Sequence, residues 1–368
     1  MEMNAATAPL SEAHRELMER FRAGQRAALA RAISIVENQR PGFQALLHEI
    51  HGDAQGAMRL GITGPPGAGK STLTAELIQR FRVAEKTVGV IAVDPTSPYT
   101  GGALLGDRIR MNEVAQDKGV FVRSMATRGA LGGLAAATRE VMDIMAAYGF
   151  DIIIVETVGV GQSELDIAAA ADTTAVILVP ESGDSIQTMK AGLMEAADLF
   201  IVNKADRPGA QRLAREVEMM LHLKLGESKK DIPAHHGVDR SRPRAPAKDT
   251  DETGPPDPTT TTTTPTSSAT PWPIPVLLTT AETGEGVDEL MEKLGDHAEW
   301  LEASGELQRR RRARLEERVR DAVQQRLLVR AWQDGPGGRI LQDALPELVA
   351  GKTTPYEVAA RIVSGIGE

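Results

Sequence analysis

Eight residues constrain this chain more than any others: Gly64-Pro65-Pro66-Gly67-Ala68-Gly69-Lys70-Ser71 fits the pattern G-x-x-x-x-G-K-[ST]. The run lies between a short apolar segment of strand character, Arg59–Thr63, and a helix-compatible segment, Ser71–Phe81. That placement predicts a strand, a loop whose backbone N–H groups turn inward around phosphate oxygens, and a helix opening at Lys70 with its positive dipole end on the same anion. Gly64, Gly67 and Gly69 allow the turn without side-chain clashes. Lys70 is placed to reach the β- and γ-phosphates, which makes it a catalytic candidate, and Ser71 to offer its hydroxyl to magnesium. The candidate phosphate-binding set is Gly64, Pro65, Pro66, Gly67, Ala68, Gly69, Lys70, Ser71 and Thr72. Taken alone, the eight residues also fit a chance glycine-rich turn; the flanking strand and helix argue against it.

Short β-rich apolar runs recur along the chain at Arg59–Thr63, Thr87–Val93, Asp151–Glu156, Thr174–Val179, Leu199–Asn203 and Ile274–Thr279, with a weaker seventh at Gly119–Ser124. Helix-compatible stretches separate most of them, among them Leu134–Tyr148 and Met189–Ala197. Near-continuous apolar strands alternating with helices predict an α/β fold: a P-loop NTPase with a mostly parallel sheet flanked by helices. With 368 residues, 41% hydrophobic and only 3% aromatic, the core must be built from Val, Ile, Leu, Ala and Met.

Around this domain, expected over residues 58–300, lie two appendages. Residues 1–57 form an N-terminal helical extension, since Leu10, Leu17, Phe21, Ala28, Ile33 and Val36 recur near helical spacing and Ser11 suits an N-cap. Residues 301–368 form a C-terminal helical arm, with helix expected over Glu302–Arg330 and then a short tail carrying Gly335-Pro-Gly-Gly. The basic run Arg309–Arg312 with Arg314 reads first as a solvated helix face and second as a surface for an acidic partner. Between about residues 226 and 273 the sequence turns to Pro, Thr, Ser and charge, with nothing to form a core, and is expected to be a disordered insertion. His235 and His236 in it lack any ligand spacing that would support a metal.

Guanine is distinguished from adenine by Asn203-Lys204-Ala205-Asp206, directly after an apolar strand. The Asp206 carboxylate can accept two hydrogen bonds from guanine N1–H and N2–H. Lys204 can lie along the base plane, and Asn203 can tie this loop to the phosphate loop. Thr280-Ala281-Glu282, after the last strand, suits a second base loop whose backbone N–H meets guanine O6. Four residues alone are also compatible with an ordinary strand end; their order after the phosphate loop and the acid-bearing strand favours guanine. Magnesium needs oxygen ligands, and Ser71, Asp94, Asp107 and Glu156 supply them, although any single acid also fits a strand-terminal cap. Glu156-Thr-Val-Gly159 resembles a γ-phosphate sensor, with the Gly159 N–H as a catalytic candidate. Val160 stands where a Ras-like GTPase places its water-orienting glutamine, so slow intrinsic hydrolysis is expected.

Global properties exclude other classes. A net charge of -9 argues against nucleic acid as a partner, and the absence of cysteine removes disulfides, thiolate metal sites and cysteine nucleophiles. No run approaches the roughly 18 apolar residues of a membrane helix, and the first thirty residues hold no apolar signal core. A soluble, cytoplasmic chain with no membrane partner is expected.

Long motifs then point to a family. Asp94-Pro-Thr-Ser-Pro-Tyr-Thr-Gly-Gly-Ala-Leu-Leu-Gly-Asp107-Arg-Ile-Arg-Met111, Arg128-Gly-Ala-Leu-Gly-Gly-Leu134, Glu156-Thr-Val-Gly-Val-Gly-Gln-Ser-Glu164 and Pro180-Glu-Ser-Gly-Asp-Ser-Ile-Gln-Thr-Met-Lys190 closely resemble segments of the MeaB/ArgK-type GTPases. The resemblance implies a GTPase of the SIMIBI class, binding GTP or GDP with Mg2+, and homodimeric through its C-terminal arm. It implies a chaperone of an adenosylcobalamin-dependent acyl-CoA mutase, above all methylmalonyl-CoA mutase, that gates cofactor loading and protects against inactivation. The adenosylcobalamin would belong to the mutase. It also implies that Gln187 and Lys190 complete the catalytic site when the mutase docks, although both equally fit an exposed helix start. Two alternatives remain: a kinase or ATPase linked to arginine/ornithine transport, which predicts ATP preference, and a metal-insertion GTPase. The latter predicts a Cys/His cluster in a chain with no cysteine and seven histidines.

Overall fold

The computed structural model describes residues 9–95, 116–127, 133–157, 169–180, 191–224, 270–333 and 335–365; for residues 94–95, 126–127, 133–136, 191–193 and 224 it describes the backbone alone. Seven strands form one all-parallel sheet: β1 (Met58–Thr63), β2 (Val88–Pro95), β3 (Val120–Thr127), β4 (Ile152–Thr157), β5 (Thr173–Leu178), β6 (Leu199–Asn203) and β7 (Val276–Thr279). Their order is β3-β2-β4-β1-β5-β6-β7, which puts the strand before the phosphate loop at the centre. The register pairs Ile62 with Glu156 and Ala92 with Glu156, so β1, β4 and β2 end side by side.

Three helices, α1 (Glu12–Arg22), α2 (Arg26–Glu37) and α3 (Phe43–Ile50), precede the sheet. Ser11 caps α1 by accepting a hydrogen bond from the His14 N–H at 3.3 Å, as its position predicts. Further on come α4 (Lys70–Val83), α5 (Gly133–Tyr148), α6 (Ala191–Ala196), α7 (Ala210–Lys224), α8 (Val287–Ala303) and α9 (Glu306–Trp332). The alternation of side chains along each strand distributes them to two faces. Ile153 and Val155 of β4 join α1, α2, α3 and α5 in one core; Ile152 and Ile154 join α4 and α8 in another. Phe200 and Val202 of β6 pack with α7. No residue of these cores is an aromatic-rich exception to the aliphatic composition expected, beyond Phe21, Phe81, Phe150 and Phe200.

Two expectations need correction. Beyond α9 there is no short tail: Gly335-Pro336 leads into α10 (Gly337–Val349), followed by α11 (Pro355–Gly365), and the two pack on the end of α9 through Ala331, Ala344, Val358 and Ile362. Gly335 and Pro336 form the corner between helices, and Gly337 and Gly338 open α10. The second concerns the insertion. Residues 226–269, with His235 and His236, lie outside the described residues, but the last four residues assigned to it have a defined place. Trp272 donates Nε1–H to the Asp198 carbonyl at 2.9 Å and packs against His297 and Trp300. An amphipathic indole finds both an apolar wall and an acceptor there.

Candidate functional site

The carboxyl ends of β1, β4 and β6 gather the groups expected to meet a nucleotide. The loop after β1 crosses directly into α4, which opens at Lys70. Gly69 has φ 86°, and a Cβ there would run into the Asn203 amide; Gly64 has φ 143°, and a Cβ would strike the Ile177 carbonyl. Side chains at these points would cost about 1–2 kcal/mol in backbone strain alone, before any clash. Pro66 and Gly67 form the exposed crown of the loop, while Ala68 and Lys70 are buried. Lys70 Nζ donates to the Gly64 and Pro65 carbonyls at 2.8 and 3.0 Å, so its charge is folded back against the loop.

Ser71, the first residue after Lys70, donates its hydroxyl to the Glu156 carboxylate at the end of β4, and both are buried. Next to them Thr157 donates to the Thr63 hydroxyl at 3.1 Å, a buried bond that sequence patterning does not announce. A hydroxyl and a carboxylate oxygen set against a phosphate loop are the hard donors that a magnesium ion takes. The residues present fit the ion.

Asn203 ends β6 and holds the base loop to the phosphate loop, as its position predicts: Nδ2 donates to the Ala68 carbonyl at 2.8 Å. Its Oδ1 accepts from the Ala281 N–H at 3.0 Å and the Thr279 hydroxyl at 3.2 Å, so one buried amide joins three loops. Lys204 adopts a left-handed φ of 57°, which turns the chain so that Asp206 stands exposed at the surface. Thr280 and Ala281 are buried at the start of the second loop, and Glu282 is exposed.

The remaining expected site residues are not placed. Asp94, the penultimate residue of β2, follows the register that brings Ala92 to Glu156, but only its backbone is described. Asp107, Gly159, Gln187 and Lys190 lie outside the described residues, as do most residues of the motif segments to which they belong.

A second polar constellation, which sequence reasoning missed, occupies the opposite ends of the strands. Asp172, immediately before β5, and Asp198, immediately before β6, are buried. Arg311 donates to Asp172 at 2.7 Å, and Arg314 donates to the same carboxylate. Arg310 makes a two-pronged contact with Asp198 at 2.9 and 3.0 Å. Arg318 and Arg59 share Asp143 of α5 at 2.7 and 2.8 Å. Burial works to raise the Asp172 carboxyl, yet the Arg311 hydrogen bond and the Arg314 and Arg311 charges hold it below its usual range. Asp198 is treated the same way by burial, His297 and Arg310. The arginine run is therefore not one solvated face. Arg309 and Arg312 point outward, while Arg310, Arg311 and Arg314 turn inward onto acids of the chain itself. The signal available in the sequence was a charged residue set immediately before each of two short, mostly apolar strands.

A parallel sheet with this loop after its central strand, and Asn-Lys-x-Asp after β6, belongs to the P-loop class of guanine-nucleotide hydrolases. Within that class the chain belongs to the family of the methylmalonyl-CoA mutase-associated GTPase MeaB, whose pattern matches residues 29–335. It is a GTPase. A Pyrococcus horikoshii relative, provisionally named a GTPase, is 45% identical over 308 residues, covering 84% of this chain and 85% of that one. The fused isobutyryl-CoA mutase of Geobacillus kaustophilus is 36% identical over 211 residues, covering 55% of this chain and 19% of that much longer one. A crystal structure titled LAO/AO transport system kinase superposes with a TM-score of 0.65 at 27% identity, covering 98% of this chain and all of that one. Among the described residues, no helix is long and apolar enough to cross a membrane.

Proposed function

We propose that this GTPase is a nucleotide-gated chaperone of an adenosylcobalamin-dependent acyl-CoA mutase, with methylmalonyl-CoA mutase as the leading partner. One observation carries the reading: in the Geobacillus relative a segment similar to this chain forms part of one polypeptide with an acyl-CoA mutase. Fusion makes the association of GTPase and mutase obligatory there, and two separate chains would achieve it by docking. In this reading residues 58–300 bind the nucleotide, with Ser71, Glu156, Asp94 and Asp107 around Mg2+ and Asp206 on guanine. Lys70 balances the charge of the β- and γ-phosphates, and the Gly159 N–H faces the γ-phosphate. Gln187 and Lys190 join the site when the mutase docks, which makes unassisted turnover slow and suits a switch.

The C-terminal arm, assigned to residues 301–368, serves as the dimer interface. Supporting this, Val319, Val323 and Leu327 lie 63%, 51% and 51% exposed along α9, and Trp332 continues the stripe. An apolar stripe of that length marks an association surface. The working location is the cytoplasm.

The test is GTP hydrolysis with and without a purified adenosylcobalamin-dependent mutase, compared with ATP. Slow GTP turnover that the mutase accelerates, and that Gln187→Ala or Lys190→Ala blunts, supports the chaperone. The solved structure titled as a transport-system kinase favours a second reading, a kinase linked to arginine/ornithine transport. Preference for ATP, or turnover indifferent to the mutase, would move the assignment there.

A further inference from the structure

Helix α9 touches the molecule in two different ways along its length. Its first turns present Arg310, Arg311 and Arg314 to buried aspartates of the domain, and its later turns present the apolar stripe to solvent. The aspartates are not scattered. Asp172 begins β5, Asp198 begins β6, and the Asp172 carboxylate also accepts from the backbone N–H of Arg59 at the start of β1, at 3.3 Å. β1, β5 and β6 are neighbours in the sheet. Their other ends carry the phosphate loop, Val179-Pro180 and the Asn203 base loop. Strands of five or six residues span about 17–20 Å, so each is a short stiff strut between the nucleotide end and α9. At its start α9 is joined to α8 by two residues, Ser304 and Gly305; Gly305 has φ 73°, and an added Cβ there would meet nothing. The helix thus has an open corner at one end and charged grips on three adjacent strands beyond it.

We propose that α9 is a coupling rod: it pivots at Gly305, and its arginine face transmits the relative positions of β1, β5 and β6 to the exposed apolar stripe. The proposal rests on the Lys70–Ser71 site taking guanine nucleotide. A shift of the phosphate or base loop between GTP and GDP moves strand ends against one another. Bidentate arginine–carboxylate contacts are directional, so α9 follows that shift, whereas an apolar contact would slide. Arg310, Arg311 and Arg314 are positioning residues in this scheme, acting on the nucleotide site only through Asp172, Asp198 and the strands.

The experiment is hydrogen exchange of the full-length protein, loaded with GDP or with a non-hydrolysable GTP analogue. Residues 306–318 are followed, in the wild type and in an Arg310→Lys/Arg311→Lys variant. In the wild type the two nucleotides are expected to change exchange in this segment by about fivefold or more, the low end of ordinary coupling. The variant should bind both nucleotides with unchanged Kd and lose the difference. A purely structural clamp gives another result: the variant exchanges faster in both states and keeps the ratio, which overturns the proposal. So does a wild type whose α9 exchange is the same in both states. If the double variant fails to fold, Arg314→Lys alone is read by the same ratio. A wild type that binds neither nucleotide in a fluorescent-analogue titration sinks the site assignment itself, which separates that failure from a failure of coupling.

Discussion

The two ends of the sheet bury similar chemistry to opposite purposes. At the carboxyl end Lys70, Ser71, Glu156 and Asn203 are buried but grouped around a glycine loop that could not carry a Cβ at Gly64 or Gly69. At the amino end Asp172 and Asp198 are also buried, but Asp172 is closed by Arg311, Arg314 and the Arg59 N–H, and Asp198 by Arg310, His297 and the Thr174 N–H. Charge that converges on a glycine cradle is built for a ligand, and charge that is mutually neutralised is built for geometry. Such closed pairs add little net stability compared with apolar packing, because desolvation offsets their attraction. What they specify is where α9 lies.

The comparison breaks most sharply at Asp172. Asp172→Ala leaves Arg311 and Arg314, mostly covered at 18% and 13% side-chain exposure, without their carboxylate, and should cost about 3–5 kcal/mol of stability. The loss should appear as a lower urea midpoint, with nucleotide affinity of the folded protein unchanged. A loss under about 1 kcal/mol would make this a solvent-screened pair and remove the contrast between the two ends. Lys70→Ala probes the other end. It should slow single-turnover GTP hydrolysis by about 10²–10³-fold while leaving the unfolding midpoint nearly where it was. Unchanged hydrolysis would mean that the carboxyl end is as structural as the amino end.

The unequal legibility of the two ends follows from the same physics. The phosphate loop is eight consecutive residues, and the Asn203 contact to Ala68 was foreseeable because both loops follow apolar strands. The amino-end grips join residues 112 to 142 positions apart, and ion pairs of that separation leave no periodic trace in the sequence. β3 was legible only as a weak strand for a related reason. It lies at the sheet edge, where Val122, Arg123 and Ser124 are half-buried, so its pattern is mixed. The helix α10 was hidden by Pro346 within it and by the glycines at and before its start.

Asp206 offers a smaller effect confined to the ligand end. It is exposed, so Asp206→Ala should not move stability. It removes two charged hydrogen bonds to guanine and should weaken GTP binding by about 10–100-fold, narrowing the preference over ATP in a competition titration. Equal losses for both nucleotides would place Asp206 off the base.

The smallest effect lies at the amino end and depends on pH. Glu140, half-buried on α5 beside Arg139, Asp143 and Arg318, has its carboxyl pushed up to about 7, first by burial and then by the Asp143 charge, against the two arginines. Between its ordinary value near 4.5 and 7 the folded chain keeps a proton that the unfolded chain has released. Glu140 therefore contributes stability that is fully present below about pH 4.5 and is lost as pH rises through 7. After solvent screening at a half-buried site the swing should be about 1–2 kcal/mol. Glu140→Gln has no proton to lose, so its midpoint should match the wild type at pH 5 and exceed it at pH 8. The opposite order would mean that Arg139 and Arg318 stabilise a Glu140 anion. The amino end would then hold a third closed pair, where this geometry shows one carboxyl left over after Asp143 has taken Arg318 and Arg59 and Asp321 has taken Arg139.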